Sequence, residues 1–264
     1  MTNGITVGIV GDYDETFPPH PRTSAAVQHA ARALGLTVDA RWVPTAECDG
    51  DASRRLAGCH GVWISPGSPY KSMTGALEAI RVCRTGGVPL LATCGGCQHV
   101  IIEYARAVLG YADAEHAEHD PYASTLFITP LSCSLVGQTM SVVLDAGSAV
   151  EAIYGRREVE EQYYCNFGLN PAHERTVHEG GLTIVGHDKD GEPRLFTLPA
   201  HPFFVATLFV PSLTSTPERP HPLIVAFLEA AARRRAQRGP HPAPPRKGEG
   251  CRRATRSLSC RGGS

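Results

Sequence analysis

Cys94 has the setting that most directly suggests chemistry. It lies in Val88-Pro-Leu-Leu-Ala-Thr-Cys-Gly-Gly-Cys-Gln-His99, where an apolar run leads straight into a cysteine and two glycines. That pattern reads as a nucleophile elbow, a sharp strand-to-helix turn that lifts one side chain above a sheet edge. Glycines suit such a turn because backbones approach closely there and positive φ costs them little. A thiol at a helix N-terminus meets free N–H groups and the positive end of the helix dipole, both of which favour thiolate. The same N–H groups can hold a developing oxyanion. The plainer alternative is a small buried hydrophobe in a glycine-rich turn.

Cys97 completes a C-x-x-C, so a thiol redox pair is a second possible chemistry. Three strand–helix units precede it here, more than a thioredoxin-like chain usually has. A zinc site would need two further ligands, and there is no second C-x-x-C. No phosphate-cradling glycine loop is visible, and neither a metal nor a cofactor is expected. Asp12 and Asp14 follow the first strand and belong to the same sheet edge as Cys94. They could meet a substrate amine, or simply cap and solvate a loop. Twelve histidines offer bases. His201, beside Pro202, reads as a structural corner residue. His99 is expected to point away from Cys94 along its helix. His116, His119 and Asp120 fall in the following loop, and His178 and Glu179 end a short helix.

The elements that must position these residues alternate. Ile5–Val10, Thr37–Val43, Gly61–Ser65 and Pro89–Thr93 read as buried strands, and Pro21–Gly35, Ser72–Arg84 and Gln98–Leu109 as helices. Such alternation predicts an α/β fold with a doubly wound, mostly parallel sheet. After Gly110 the pattern changes to hairpins. Thr125–Thr129, Met140–Leu144, Glu158–Cys165, Leu182–His187, Arg194–Leu198 and Phe204–Val210 read as extended. Pro171–Glu179 reads as a short helix and Pro222–Arg235 as a closing one.

The 264 residues are 42% hydrophobic and 19% charged, enough to build a core. The apolar runs fall short of the roughly 20 residues that span a bilayer, and no basic-then-apolar leader opens the chain. Nine scattered cysteines fit free thiols in a reducing cytoplasm better than a disulfide framework. Residues 236–264 carry seven Lys/Arg against one acidic residue, whereas residues 1–235 carry 18 basic and 25 acidic residues. The domain is therefore expected at 1–235, followed by a disordered basic Pro/Gly/Arg-rich tail. An acidic body offers no footprint for nucleic acid.

These residues together resemble the class I glutamine amidotransferases, and within them the C-terminal glutaminase domain of CTP synthase. Ala92-Thr-Cys94-Gly-Gly96 matches the family's G-x-C-x-G elbow, with Ala92 for the first glycine. Gln98-His-Val-Ile-Ile-Glu-Tyr-Ala-Arg-Ala-Val-Leu-Gly110 is similar to the family's next helix. Ala200–Ser212, Thr214-Ser-Thr-Pro217 and His221-Pro-Leu223 resemble its last strand and the approach to its last helix. The resemblance implies a flavodoxin-like fold, Cys94 as nucleophile, and Gly67 and Gly95 as oxyanion donors. It implies Gln98, Tyr164 and Asn166 as glutamine contacts.

The resemblance also exposes two gaps. The family's base and orienting acid lie in F-H-P-E, where this sequence has Phe209-Val210-Pro211-Ser212. Val210 cannot take a proton, and Ser212 cannot orient an imidazolium as a carboxylate does. The synthetase half of CTP synthase is not in this sequence. Three functions follow as alternatives. The first is a cysteine-dependent enzyme acting on glutamine or a related amide or γ-glutamyl compound, with a separate synthetase or acceptor protein as possible partner. The second is an inactive fold that binds an amino acid or a partner. The third is other cysteine chemistry, including hydratase, isomerase or C-x-x-C redox. Cys94 is expected to be the most reactive thiol, ahead of Cys59, Cys83 and Cys133.

Overall fold

A computed structural model describes residues 4–238. Its main sheet has nine strands. Five parallel strands lie in the order β2 (Thr37–Val43), β1 (Gly4–Val10), β3 (Gly61–Ile64), β4 (Leu90–Thr93) and β12 (Phe204–Thr207). The sheet continues antiparallel through β11 (Pro193–Thr197), β10 (Thr183–His187), β7 (Thr139–Leu144) and β8 (Glu158–Gln162). It is thus mixed, a parallel half joined to an antiparallel wing. A small second sheet holds β5 (Glu115–His116), β6 (Leu126–Pro130) and β9 (Phe167–Leu169).

Strand side chains alternate between two cores, as the period of two requires. Ile5, Val7 and Ile9 of β1 and Leu91 of β4 join one core with α1 (Pro19–Ala33) and α8 (Pro222–Arg238). Val62, Ile64, Leu90 and Ala92 join the other with α4 (Met73–Gly86) and α5 (Gly95–Ala107). Ser72 caps α4 by accepting the Gly75 N–H at 3.0 Å. Arg84 and Glu103 brace α4 to α5 through two hydrogen bonds of 2.8 and 2.7 Å.

Several expected boundaries shift. The elbow helix begins at Gly95, directly after Cys94, rather than at Gln98. The last strand ends at Thr207, Phe209 then bridges Tyr163 instead, and Pro211–Leu213 forms a short 3-10 helix. His116, expected in a loop, pairs in β5 and is fully buried. Helix α8 runs to Arg238, past the boundary drawn at residue 235, and the rest of the expected tail lies outside the described residues. The short helices α2 (Thr45–Cys48), α3 (Ala52–Arg55) and α6 (Ala149–Tyr154) were not expected. The Pro171–Glu179 segment divides into a 3-10 turn and α7 (Glu174–Glu179).

This topology gathers the chemistry. Strands β1, β3, β4 and β12 are parallel, so their carboxyl ends share one edge. Asp12 and Asp14, the Pro66–Ser68 turn, Cys94, and Val210 with Ser212 all follow those ends. Among the described residues, no helix is long and apolar enough to cross a membrane.

Candidate active site

Cys94 sits between β4 and α5 with φ 52° and ψ −113°, and it is the only non-glycine with positive φ among the described residues. Such backbone costs on the order of 1–3 kcal/mol and persists where neighbours over-determine it. The neighbours here are identifiable. The Cys94 N–H donates to Thr207 O at 2.8 Å, and its carbonyl accepts the Gln98 N–H at 3.2 Å. One residue earlier, Thr93 Oγ1 accepts the Trp63 indole N–H at 3.0 Å, tying β4 to β3. Leaving that buried indole N–H without a partner would cost about 1–3 kcal/mol.

The glycines after Cys94 permit contact with the preceding crossover. A Cβ on Gly95 would fall 2.4 Å from Gly67 O, and one on Gly96 would fall 2.5 Å from Ile64 O. Gly67 itself has φ +101°. The two expected oxyanion residues, Gly67 and Gly95, are therefore packed backbone to backbone.

The other expected site residues are placed unequally. Gln98 is 2% exposed, and both ends of its amide are engaged. Its Nε2 donates to Phe167 O at 2.9 Å, and its Oε1 lies 3.0 Å from His116 Nε2. His116 Nδ1 accepts the Glu118 N–H, so Nε2 carries the proton donated to Gln98. The Tyr164 carbonyl accepts the Cys94 thiol at 3.3 Å, and its ring packs edge-on against Phe17. Asn166 is exposed, and its Oδ1 accepts the Ser134 hydroxyl at 2.7 Å. Val210 is fully buried, and its N–H donates to Gln162 O at 2.8 Å. Ser212 Oγ lies 3.3 Å from Thr23 Oγ1, and Ser212 is 1% exposed.

The aspartates hold loops. Asp12 accepts the Thr45 hydroxyl and the Lys71 N–H, both at 2.8 Å. Asp14 accepts the Thr16 hydroxyl at 2.7 Å and N–H at 2.8 Å, bonds that lower its carboxyl pKa. Both line a cleft of about 200 Å³ beside Gly67, with Phe17, His20 and Tyr70.

Among the described residues, no histidine hydrogen-bonds the Cys94 thiol. His99 donates from Nδ1 to Gly95 O at 2.8 Å, while its Nε2 is buried and unpartnered. Burial lowers its pKa to about 4. His201 bridges Phe203 O and Cys83 O, a corner role. His119 and His178 are exposed. Sequence reasoning missed His20, which accepts the Asp14 N–H at Nδ1 and donates from Nε2 to Pro66 O, both at 2.9 Å. It thereby pins the turn that carries Gly67. Its only signal was a histidine among the prolines that open α1.

Thiol reactivity follows from burial. Cys133 is exposed whereas Cys94 is buried, so Cys133 competes with Cys94 for the first label. Burial pushes the Cys48 thiol up to about 11 and raises Cys59, Cys83 and Cys97. Brief alkylation of the native protein, mapped by peptide mass spectrometry, should label Cys133 first and Cys94 next, with these four last. Labelling Cys94 after Cys48 or Cys83 would sink the elbow reading.

A sequence model of the family described as "Glutamine amidotransferase class-I" matches residues 22–230. CTP synthase of Methanopyrus kandleri is 33% identical over 241 residues, covering 86% of this chain and 45% of that protein. CTP synthase of Acidothermus cellulolyticus is 33% identical over 251 residues, covering 87% and 44%. The chain thus spans about half the length of the curated relatives it matches. Among solved structures, the CTPS glutaminase domain of Trypanosoma brucei with bound acivicin superposes with a TM-score of 0.80 at 24% identity. That match covers 87% of this chain and 94% of the other. A glutamine amidotransferase from Thermotoga maritima gives a TM-score of 0.55 at 12% identity, covering 87% and 97%.

Proposed function

Since this chain belongs to the class-I glutamine amidotransferase family, we propose that it uses Cys94 on glutamine or a related amide or γ-glutamyl compound. The observation that carries this reading is the strained elbow, with Cys94 at φ 52° against the Gly67 turn. Strain of this kind is retained where it presents a side chain for function.

The thiolate of Cys94 attacks the amide carbon, and the carbonyl π electrons move to oxygen. That oxyanion faces the Gly67 and Gly95 N–H groups, whose preorganised dipoles stabilise it. The C–N bond then breaks as nitrogen takes a proton from solvent water and leaves as ammonia. Water hydrolyses the thioester, releasing the acid and restoring Cys94. The buried bonds from Gln98 to His116 and Phe167 fix the floor behind the nucleophile. Tyr164 lies beside the thiol, whereas the side-chain oxygen of Asn166 is committed to Ser134. Released ammonia would pass to a synthetase or acceptor outside these residues.

A second reading is favoured by one observation. The Cys94 thiol donates to a backbone carbonyl rather than to a base. On that reading the fold binds an amino acid or partner without turnover. Incubation of purified protein with glutamine, with ammonia and glutamate measured against Cys94→Ala, separates the two. Slow release that disappears in Cys94→Ala supports catalysis. Release that persists in the variant overturns it, and no release despite calorimetric glutamine binding supports the silent reading.

A further inference from the structure

The sequence pairs Cys94 with Cys97, but the structure separates them. Cys97 points into the core shared by α4 and α5, with Ile64, Ala76 and Ile80. Cys94 belongs to the opposite core, and Cys165 belongs there with it. Three hydrogen bonds fix that juxtaposition. Cys94 Sγ donates to Tyr164 O at 3.3 Å, the carbonyl immediately before Cys165. The Cys94 N–H donates to Thr207 O at 2.8 Å. Cys165 Sγ donates to the next carbonyl, Leu208 O, at 3.0 Å. The bridge between Tyr163 and Phe209 holds the two segments in register.

We propose that Cys94 and Cys165 form a reversible intramolecular disulfide when the protein meets hydrogen peroxide. The Cys94 thiolate attacks one peroxide oxygen, so the S–O bond forms and the O–O bond breaks. Hydroxide leaves and is protonated to water, and Cys94 becomes a sulfenic acid. Cys165 sulfur then attacks the Cys94 sulfur. The S–S bond forms, the S–O bond breaks, and the departing hydroxide takes the Cys165 proton as a second water. Two thiols are oxidised and one peroxide is reduced to two waters. An external thiol such as glutathione reverses the link by exchange.

The roles are not interchangeable. Cys94 stands at the strained strand-to-helix turn on the sheet edge, packed against the Gly67 turn. Cys165 is 2% exposed, and its thiol is pushed well upward by burial first and then by the Cys94 sulfur beside it, so it is the partner that reacts second. The link withdraws the nucleophile and shields it from the irreversible sulfinic and sulfonic states. It needs no glutamine turnover, so it stands or falls separately from the amide chemistry.

The test uses the full chain, reduced, desalted and treated with a small excess of hydrogen peroxide. It is then denatured, alkylated and digested without reductant. Trypsin leaves Cys94 and Cys97 on one peptide and Cys165 on another, so Cys97→Ser is run beside the wild type. The expected result is a peptide pair joined through Cys94 and Cys165 in both proteins, lost on adding dithiothreitol. In Cys165→Ser the pair is absent and Cys94 proceeds to sulfinic acid. A link from Cys94 to Cys97 or Cys133 in the wild type would overturn the assignment. So would Cys94 sulfinic acid in the wild type with Cys165 recovered fully alkylated.

Discussion

The unmodified protein should hydrolyse glutamine at least roughly 10²-fold more slowly than a family member with an intact base. Changing Val210→His together with Ser212→Glu should recover part of that rate. A positioned acid–base group is worth about 10²–10⁴-fold, and on the proposed reading the imidazole and carboxylate belong at these two positions. The pair is changed together because an unoriented histidine can take the wrong tautomer. Both sites are buried, Val210 at 0% and Ser212 at 1% exposure. A carboxylate there must be held by the new imidazole, because the neighbouring Thr23 hydroxyl already donates to Pro19 O at 2.8 Å, or it costs stability. Melting temperatures therefore accompany the ammonia assay. The gain must vanish on adding Cys94→Ala. Robust hydrolysis by the unmodified protein would show that another group already serves as base. No gain in a folded double variant would show that the pocket suits a different ligand.

Acid should destabilise the protein through the histidines behind the elbow. Burial depresses the pKa of His99 to about 4 and that of His116 to about 3. His119 and Arg106 face His99, and His99 and His119 face His116, adding repulsion between positive charges. The folded state keeps both rings neutral while the unfolded chain takes up protons near the ordinary 6.5. Their contribution is thus complete above about pH 6.5 and is lost as pH falls toward those folded values. At about pH 5 the loss is on the order of 2 kcal/mol for each ring. Protonated His99 would also bury a new N–H at the unpartnered Nε2. Melting temperature measured from about pH 7.5 to 4.5 should fall, and a His99→Asn, His116→Gln double variant should fall less. Parallel curves for the two proteins would place the acid-sensitive groups elsewhere.

The parallel strands were legible because buried parallel strands are continuous apolar runs, as in Val62–Ile64 and Leu90–Ala92. The elbow was legible because strand, cysteine and paired glycines are adjacent in the chain. The start of α5 was misread because Gly95 and Gly96 look like loop residues. They open the helix because only they fit against Gly67 and Ile64. Helix α6 carried an overlooked signal, Ser148 followed by Glu151, and the serine caps the Glu151 N–H at 3.0 Å. Cys165 was hidden because its neighbour is set by strand pairing rather than by spacing, whereas the nearby Cys97 is carried to the opposite face by the helix.

The bond from the Cys94 N–H to Thr207 O, and the pairing of β4 with β12, bear on biosynthesis. Between the two strands the chain inserts the small sheet and the antiparallel wing. On the ribosome β4 emerges early but has only β3 beside it until almost the whole domain has been translated. Closing so distant a pair is slow, because loop entropy is lost before the contacts form. Until β12 is in place, the Cys94 N–H therefore lacks the Thr207 carbonyl that helps to hold its φ of 52°. The elbow's full set of backbone partners is therefore complete only once the last strand of the sheet pairs with β4.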